Sequence, residues 1–178
     1  MRRAALLGAI GILALIVQGA LARAVPPPFC PDVGFLVVVG IGSCWRGRTS
    51  GLVLAAALGY AADLYSGSLM GQTALLRIVA FSSALLASRQ LNLRGGLPLM
   101  LFTAALTVAC GLLSHGLSSA FVGAGPLGLD GFGGLLAHAA MNALAAPLVL
   151  GLVRSASAWA GDETGGRQLH VDALGGQA

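Results

Sequence analysis

The sequence has no lysine; all 10 of its basic residues are arginine. Charge of either sign is scarce, at 9% of 178 residues, where a soluble domain carries about 25%. So few charges cannot cover a water-exposed surface, which excludes an ordinary soluble globular fold. The apolar surface must face lipid instead. The net charge of +4 does not build a nucleic-acid site either. The arginines are dispersed, and no basic stripe is interleaved with aromatics. Cysteine is also sparse: Cys30, Cys44 and Cys110 show no CxxC spacing and no paired framework. Cys44 and Cys110 fall in apolar runs, where cysteine serves as a small hydrophobe; only Cys30 sits in a polar loop.

The usual signatures of catalysis are missing as well. There is no Walker motif, no nucleophile elbow and no serine with an evident base. Gly123-Ala124-Gly125-Pro126-Leu127-Gly128 matches G-x-G-x-x-G. It follows a membrane helix instead of a strand, and proline interrupts it, so a flexible loop is expected rather than a dinucleotide site. His115 and His138 lack a third ligand of suitable spacing and are expected to hydrogen-bond between helices. No cofactor, no metal and no enzymatic activity are expected.

What the chain does have is hydrophobic residues, 57% of the total, gathered into runs. Arginines, glycines and prolines divide it into about six spans, each needing roughly 20 residues to cross a bilayer. The first is Ala4 to Ala22, followed by a loop, Arg23 to Asp32, with Pro26-Pro27-Pro28 and Pro31. The second, Val33 to Trp45, ends at a basic turn, Arg46 to Ser50. The third, Gly51 to Tyr65, breaks at Ser66-Gly67-Ser68. The fourth is Gln72 to Ser88, and the fifth Leu97 to Leu117. A glycine-rich loop, Ser118 to Gly131, leads into the sixth, Phe132 to Val153. The expected organisation is an all-α, polytopic membrane helix bundle over residues 1–154, with a solvated, disordered cytoplasmic tail over 155–178. Arg2-Arg3 before an apolar run and Ala20-Leu21-Ala22 also fit a signal peptide. The length of the run favours a retained helix.

Arginine placement sets the expected orientation. With the N-terminus in the cytoplasm, Arg2, Arg3, Arg46, Arg48, Arg89, Arg94, Arg154 and Arg167 all lie inside. Arg23 alone falls in an outside loop, and the outer loops carry Asp32 and Asp130. Both termini are then cytoplasmic.

Asp63 and Arg77 are the full charges that fall within spans, and an ionisable group at membrane depth is a functional candidate by default. Antiparallel third and fourth spans would bring both toward the same side. They would pair there, or each would separately reach the interface or a backbone carbonyl. Gly67 and Gly71 form a GxxxG pattern, although Gly67 reads better as a turn glycine. Asn142 follows His138 by four and would hydrogen-bond across helices. Pro147 would free a carbonyl near residue 143.

Gly59, Asp63, Leu64, Ser66, Gly67, Leu69, Gly71 and Leu75, in that spacing, resemble the D-[LI]-x-S-G signature of the rod shape-determining protein MreD family. Pro31-Asp32 before the second span resembles that family's opening of the same helix. Asn142 and Pro147 resemble its N-x-x-x-x-P. The resemblance covers roughly Pro31 to Arg154. The proline-rich first loop and the glycine-rich loop from Gly123 to Gly134 depart from it. The resemblance implies a fold like the S component of energy-coupling-factor transporters and residence in the bacterial inner membrane. It also implies an MreC-like membrane-anchored partner and, through it, the elongation peptidoglycan synthase complex of transpeptidase and glycosyltransferase. The expected function is thus a scaffold for cell-wall elongation. The alternative is a small-molecule-binding transporter subunit, since fold does not fix function.

Overall fold

The computed structural model describes the backbone of residues 2–44, 48–66, 69–90, 96–123 and 125–175. Side chains are described for 4–44, 49–66, 69–90, 96–123 and 125–160. The described chain forms helices α1 (Arg2–Ala24), α2 (Val33–Cys44), α3 (Arg48–Ser66), α4 (Gln72–Gln90), α5 (Leu97–Val122) and α6 (Leu129–Gly175). Every run expected to span is helical. α1, α5 and α6 are each long and apolar enough to cross a membrane on their own. Their outward faces carry Leu13, Ile16, Leu101, Leu112, Leu144 and Leu148, all exposed. Apolar faces of that extent are unsuited to water, and the fold is consistent with a helical membrane protein.

Helix ends follow local chemistry. α5 runs five residues past the expected Leu117, to Val122. It stops where Gly123 takes φ 71° and returns its N–H to the Ser118 carbonyl, a left-handed cap that glycine adopts without a Cβ clash. The connection to α6 is therefore shorter than the loop expected from Ser118 to Gly131. The helical backbone of α6 likewise passes Val153, the expected end of the sixth span, and continues to Gly175. Pro147 lies inside α6 on its exposed side.

α2 departs most from a simple span. It has 12 residues, about 18 Å of helix against a hydrocarbon core of about 30 Å. Gly34 through Gly42 are all buried, because α2 packs against α1, α3, α4 and α6 at once. Phe81 of α4, Leu150 and Val153 of α6, and Leu36, Val38, Val39 and Ile41 of α2 form the fully buried centre. Short connections make successive helices antiparallel, so α2, α4 and α6 begin toward one end. α2 nevertheless begins level with Asn142, which lies 13 residues into α6, or about 20 Å from its start. A helix that starts inside the bundle needs protein acceptors for its first amides.

Small residues permit the closest crossings. A Cβ on Gly59 of α3 would lie 2.5 Å from Ala74 Cα and 2.8 Å from the Thr73 carbonyl oxygen of α4. A Cβ on Gly42 of α2 would lie 2.7 Å from the Phe81 carbonyl oxygen. Both neighbours are backbone, so α4 can approach α2 and α3 this closely only beside glycine.

Candidate functional site

Asp63, Arg77 and Asn142, all buried, gather at two helix starts. At the start of α2, Asp32 Oδ1 accepts from the Phe35 N–H at 2.7 Å, the geometry of an N-cap. The Gly34 N–H reaches across to Gln18 Oε1 of α1 at 3.1 Å. The Asp32 N–H donates to Asn142 Oδ1 of α6 at 2.7 Å. Side chains from two other helices thus receive amides that α2 itself leaves open. Asn142 Nδ2 donates to Thr107 Oγ1 of α5 at 3.3 Å and faces His138 Nε2 at 3.3 Å. The hydroxyl of Thr107 donates in turn to the Thr103 carbonyl at 2.8 Å. Asn142 therefore does hydrogen-bond across helices, and His138 meets it within α6.

Arg77 of α4 closes this network. Its Nη2 donates to both oxygens of Asp32, at 2.9 and 3.1 Å, and its guanidinium stands 5.8 Å from the centre of the Phe35 ring. The residue is 3% exposed, and Nη1 is buried with no hydrogen-bond partner. Of the two readings the sequence left open, Arg77 and Asp63 paired or each satisfied separately, the structure gives separate partners: the anion facing Arg77 is Asp32, 45 residues away in sequence. Asp32 was expected in an outer loop, but the short α2 starts deep enough to carry it inward.

Asp63, 1% exposed, serves the second helix start. Its Oδ2 accepts from the Gly71 N–H at 3.0 Å and the Ala74 N–H at 3.3 Å, and its Oδ1 from the Thr73 N–H at 2.9 Å. One carboxylate from the end of α3 thus caps the first turn of α4, where the helix dipole also favours negative charge. Gly71 sits at φ 89°, and a Cβ there would meet nothing within 4 Å. It is a turn glycine that allows the left-handed backbone, not a GxxxG packing residue. Ser66 ends α3 and is exposed. Gly67 lies outside the described residues.

Two concave surfaces adjoin these networks. One is a partly open cavity of about 210 Å³ between α2, α4, α5 and α6. Asp32, Arg77, Thr107, Ser114, His138 and Asn142 supply its polar wall, and Phe35, Leu76 and Leu135 its apolar one. The other is a groove of about 290 Å³ beside the α3–α4 turn, formed by Leu69, Met70, Leu75, Leu117 and Phe121. No group of three or more His, Cys, Asp or Glu side chains capable of holding a metal occurs among the described residues.

No family model, curated protein or solved structure matches this chain. The site must be read from its own chemistry.

Sequence reasoning singled out Asp63, Arg77 and Asn142, but missed Gln18, Thr107 and the role of Asp32. A signal for Asp32 was present: Pro31-Asp32 directly before an apolar run is a helix-start pattern. Gln18 was visible as an amide in an otherwise apolar helix. Its partner was not, because the contact depends on how α1 and α2 pack.

Proposed function

We infer that the chain is a multi-pass inner-membrane scaffold of the bacterial cell-elongation machinery, similar to MreD. It crosses the membrane six times, with both termini in the cytoplasm. Its partner is an MreC-like membrane-anchored protein, through which it supports the peptidoglycan transpeptidase and glycosyltransferase. The observation that carries this reading is the apolar groove beside the Asp63-capped turn. Met70 and Phe121 on its rim are 75% and 77% exposed, and Leu69, Gly71 and Leu75 of its lining belong to the stretch that resembles the family. The Asp63 cap fixes the turn and thereby the face it presents. A rigid apolar face of this kind suits an amphipathic segment of a partner, as in helix-in-groove recognition. Binding there can favour one partner conformation through differential contacts, without chemistry by the scaffold.

Co-purification tests this reading. The protein is solubilised with an MreC-like protein from the same cell, and wild type is compared with Met70→Glu and Phe121→Glu. Both positions are exposed, so the variants should fold. Stable association with wild type, reduced at least tenfold in either variant at unchanged melting temperature, supports the scaffold. Equal capture by all three forms refutes the groove as the contact face, and no capture by wild type refutes the partner. A second reading, a small-molecule-binding transporter subunit, is favoured by the polar-walled cavity against Arg77.

A further inference from the structure

The cavity against Arg77 has one buried hydrogen-bonding valence left unspent. Nη1 of Arg77 is buried and has no partner among the described residues. Asn142 is fully used: its oxygen takes the Asp32 N–H, and its Nδ2 serves Thr107 and His138. Ser114 Oγ accepts from Gln72 Nε2 at 2.8 Å, which leaves its own hydroxyl proton to give. Both oxygens of Asp32, the wall's carboxylate, already face Arg77 Nη2, and Oδ1 also takes the Phe35 N–H. The Thr73 hydroxyl on the same wall can give or accept. The buried group that lacks a partner is therefore a cationic donor.

About 210 Å³ is room for a molecule of several non-hydrogen atoms, and Phe35, Leu76 and Leu135 give it an apolar wall beside the polar one.

We propose that this cavity binds a small molecule whose polar end carries only hydrogen-bond acceptors, a carboxylate or carbonyl, and whose body is a short apolar chain. The head group accepts from Arg77 Nη1, and the chain lies against the apolar wall. Arg77 Nη1 has only protons to give, so a head group that is itself only a donor cannot satisfy it. The same acceptor chemistry can come from a free small acid or ester, or from the head group of a membrane lipid. The inference does not require the scaffold reading, and this experiment and the co-purification can fail separately.

The test uses the purified full chain in detergent and three small probes: butyrate, methyl propionate and butylammonium. Thermal unfolding should show a saturable rise of about 3–5 °C with butyrate or methyl propionate at roughly ten times the dissociation constant, and none with butylammonium. Arg77→Lys keeps a cation opposite Asp32 but lacks the second guanidinium nitrogen, and it should lose the shift. Cys110→Phe, which fills the cavity from α5, should lose it too. Native mass spectrometry separates the sources. A retained lipid mass that butyrate displaces assigns the head group to a lipid, and binding without such a mass assigns a soluble ligand. No shift with either acceptor probe, an equal shift with butylammonium, or an undiminished shift in Arg77→Lys overturns the proposal, and the cavity then holds water alone.

Discussion

The Asp32–Arg77 pair should respond asymmetrically to removal of either member. Arg77 is 3% exposed, and Asp32 is the anion facing it. Asp32→Asn retains an oxygen for the Phe35 amide but removes the negative charge and turns an N–H toward Nη2. A buried guanidinium then stands without a counter-charge, which costs about 3–5 kcal/mol. Arg77→Met is milder. The Asp32 side chain is 26% exposed, keeps the Phe35 N–H at 2.7 Å, and stays at the positive end of the α2 dipole. The substitution also removes the orphaned Nη1. Its expected cost is about 1–2 kcal/mol. In the double variant no charge is left uncompensated, so its cost should lie close to that of Arg77→Met alone. The singles then sum to more than the double by about 3–5 kcal/mol, a coupling far above the scatter for independent sites. Reversible unfolding in mixed micelles of increasing SDS, followed by intrinsic fluorescence, gives all three values. Additivity within about 0.5 kcal/mol refutes the pair. A larger loss for Arg77→Met than for Asp32→Asn refutes the argument that Asp32 has other support.

Three further outcomes follow from the same geometry. Asp63→Ala strips three amides of the α4 start of a common acceptor; it should cost about 3 kcal/mol, and Asp63→Asn about half of that, by the same unfolding assay. Equal stability of the two variants and wild type would remove the capping role. Gly59→Ala places a methyl against the α4 backbone and should cost about 1–3 kcal/mol, whereas Gly151→Ala, where a Cβ meets nothing within 4 Å, should be neutral or slightly stabilising; a reversed order contradicts the close α3–α4 crossing. Cys30, in the loop before α2, has its thiol pKa raised, first by burial and then by the negative charge of Asp32. Because the thiolate is the reactive form, maleimide labelling of Cys30 in a Cys44→Ser, Cys110→Ser background should be slower than that of a free cysteine peptide at pH 7.5. Its rate should rise with pH through a midpoint above that of the peptide; a midpoint at or below it refutes the expected environment.

How much of this was legible in the sequence depends on what each feature answers to. α1, α5 and α6 could be read directly, because an uninterrupted apolar run has one stable solution in lipid. Asp63 and Arg77 also stood out in the sequence as costly residues needing partners. Their pairing with each other was one of two open readings, and it rested on antiparallel third and fourth spans, which bring the two toward one side without saying which other helices pack there. Asp63 sits next to the α4 start, where several open amides compete for it. Arg77 lies farther along α4, against α2, so its partner was settled by which helix packs there. The short α2 explains both outcomes. A helix of 12 residues that begins within the bundle cannot leave its first amides to solvent. It draws acceptors from its own Asp32, from Gln18 of α1 and from Asn142 of α6. Each of those residues is visible in its own segment as a polar group, but the amide it serves is settled only once the helices meet. The polar residues of the interior therefore first serve to start helices where water is absent. A second role has to be sought in valences that this task leaves unused. Among the buried side-chain atoms described, Arg77 Nη1 is the one with no hydrogen-bond partner, and it belongs to a residue that lines the polar-walled cavity.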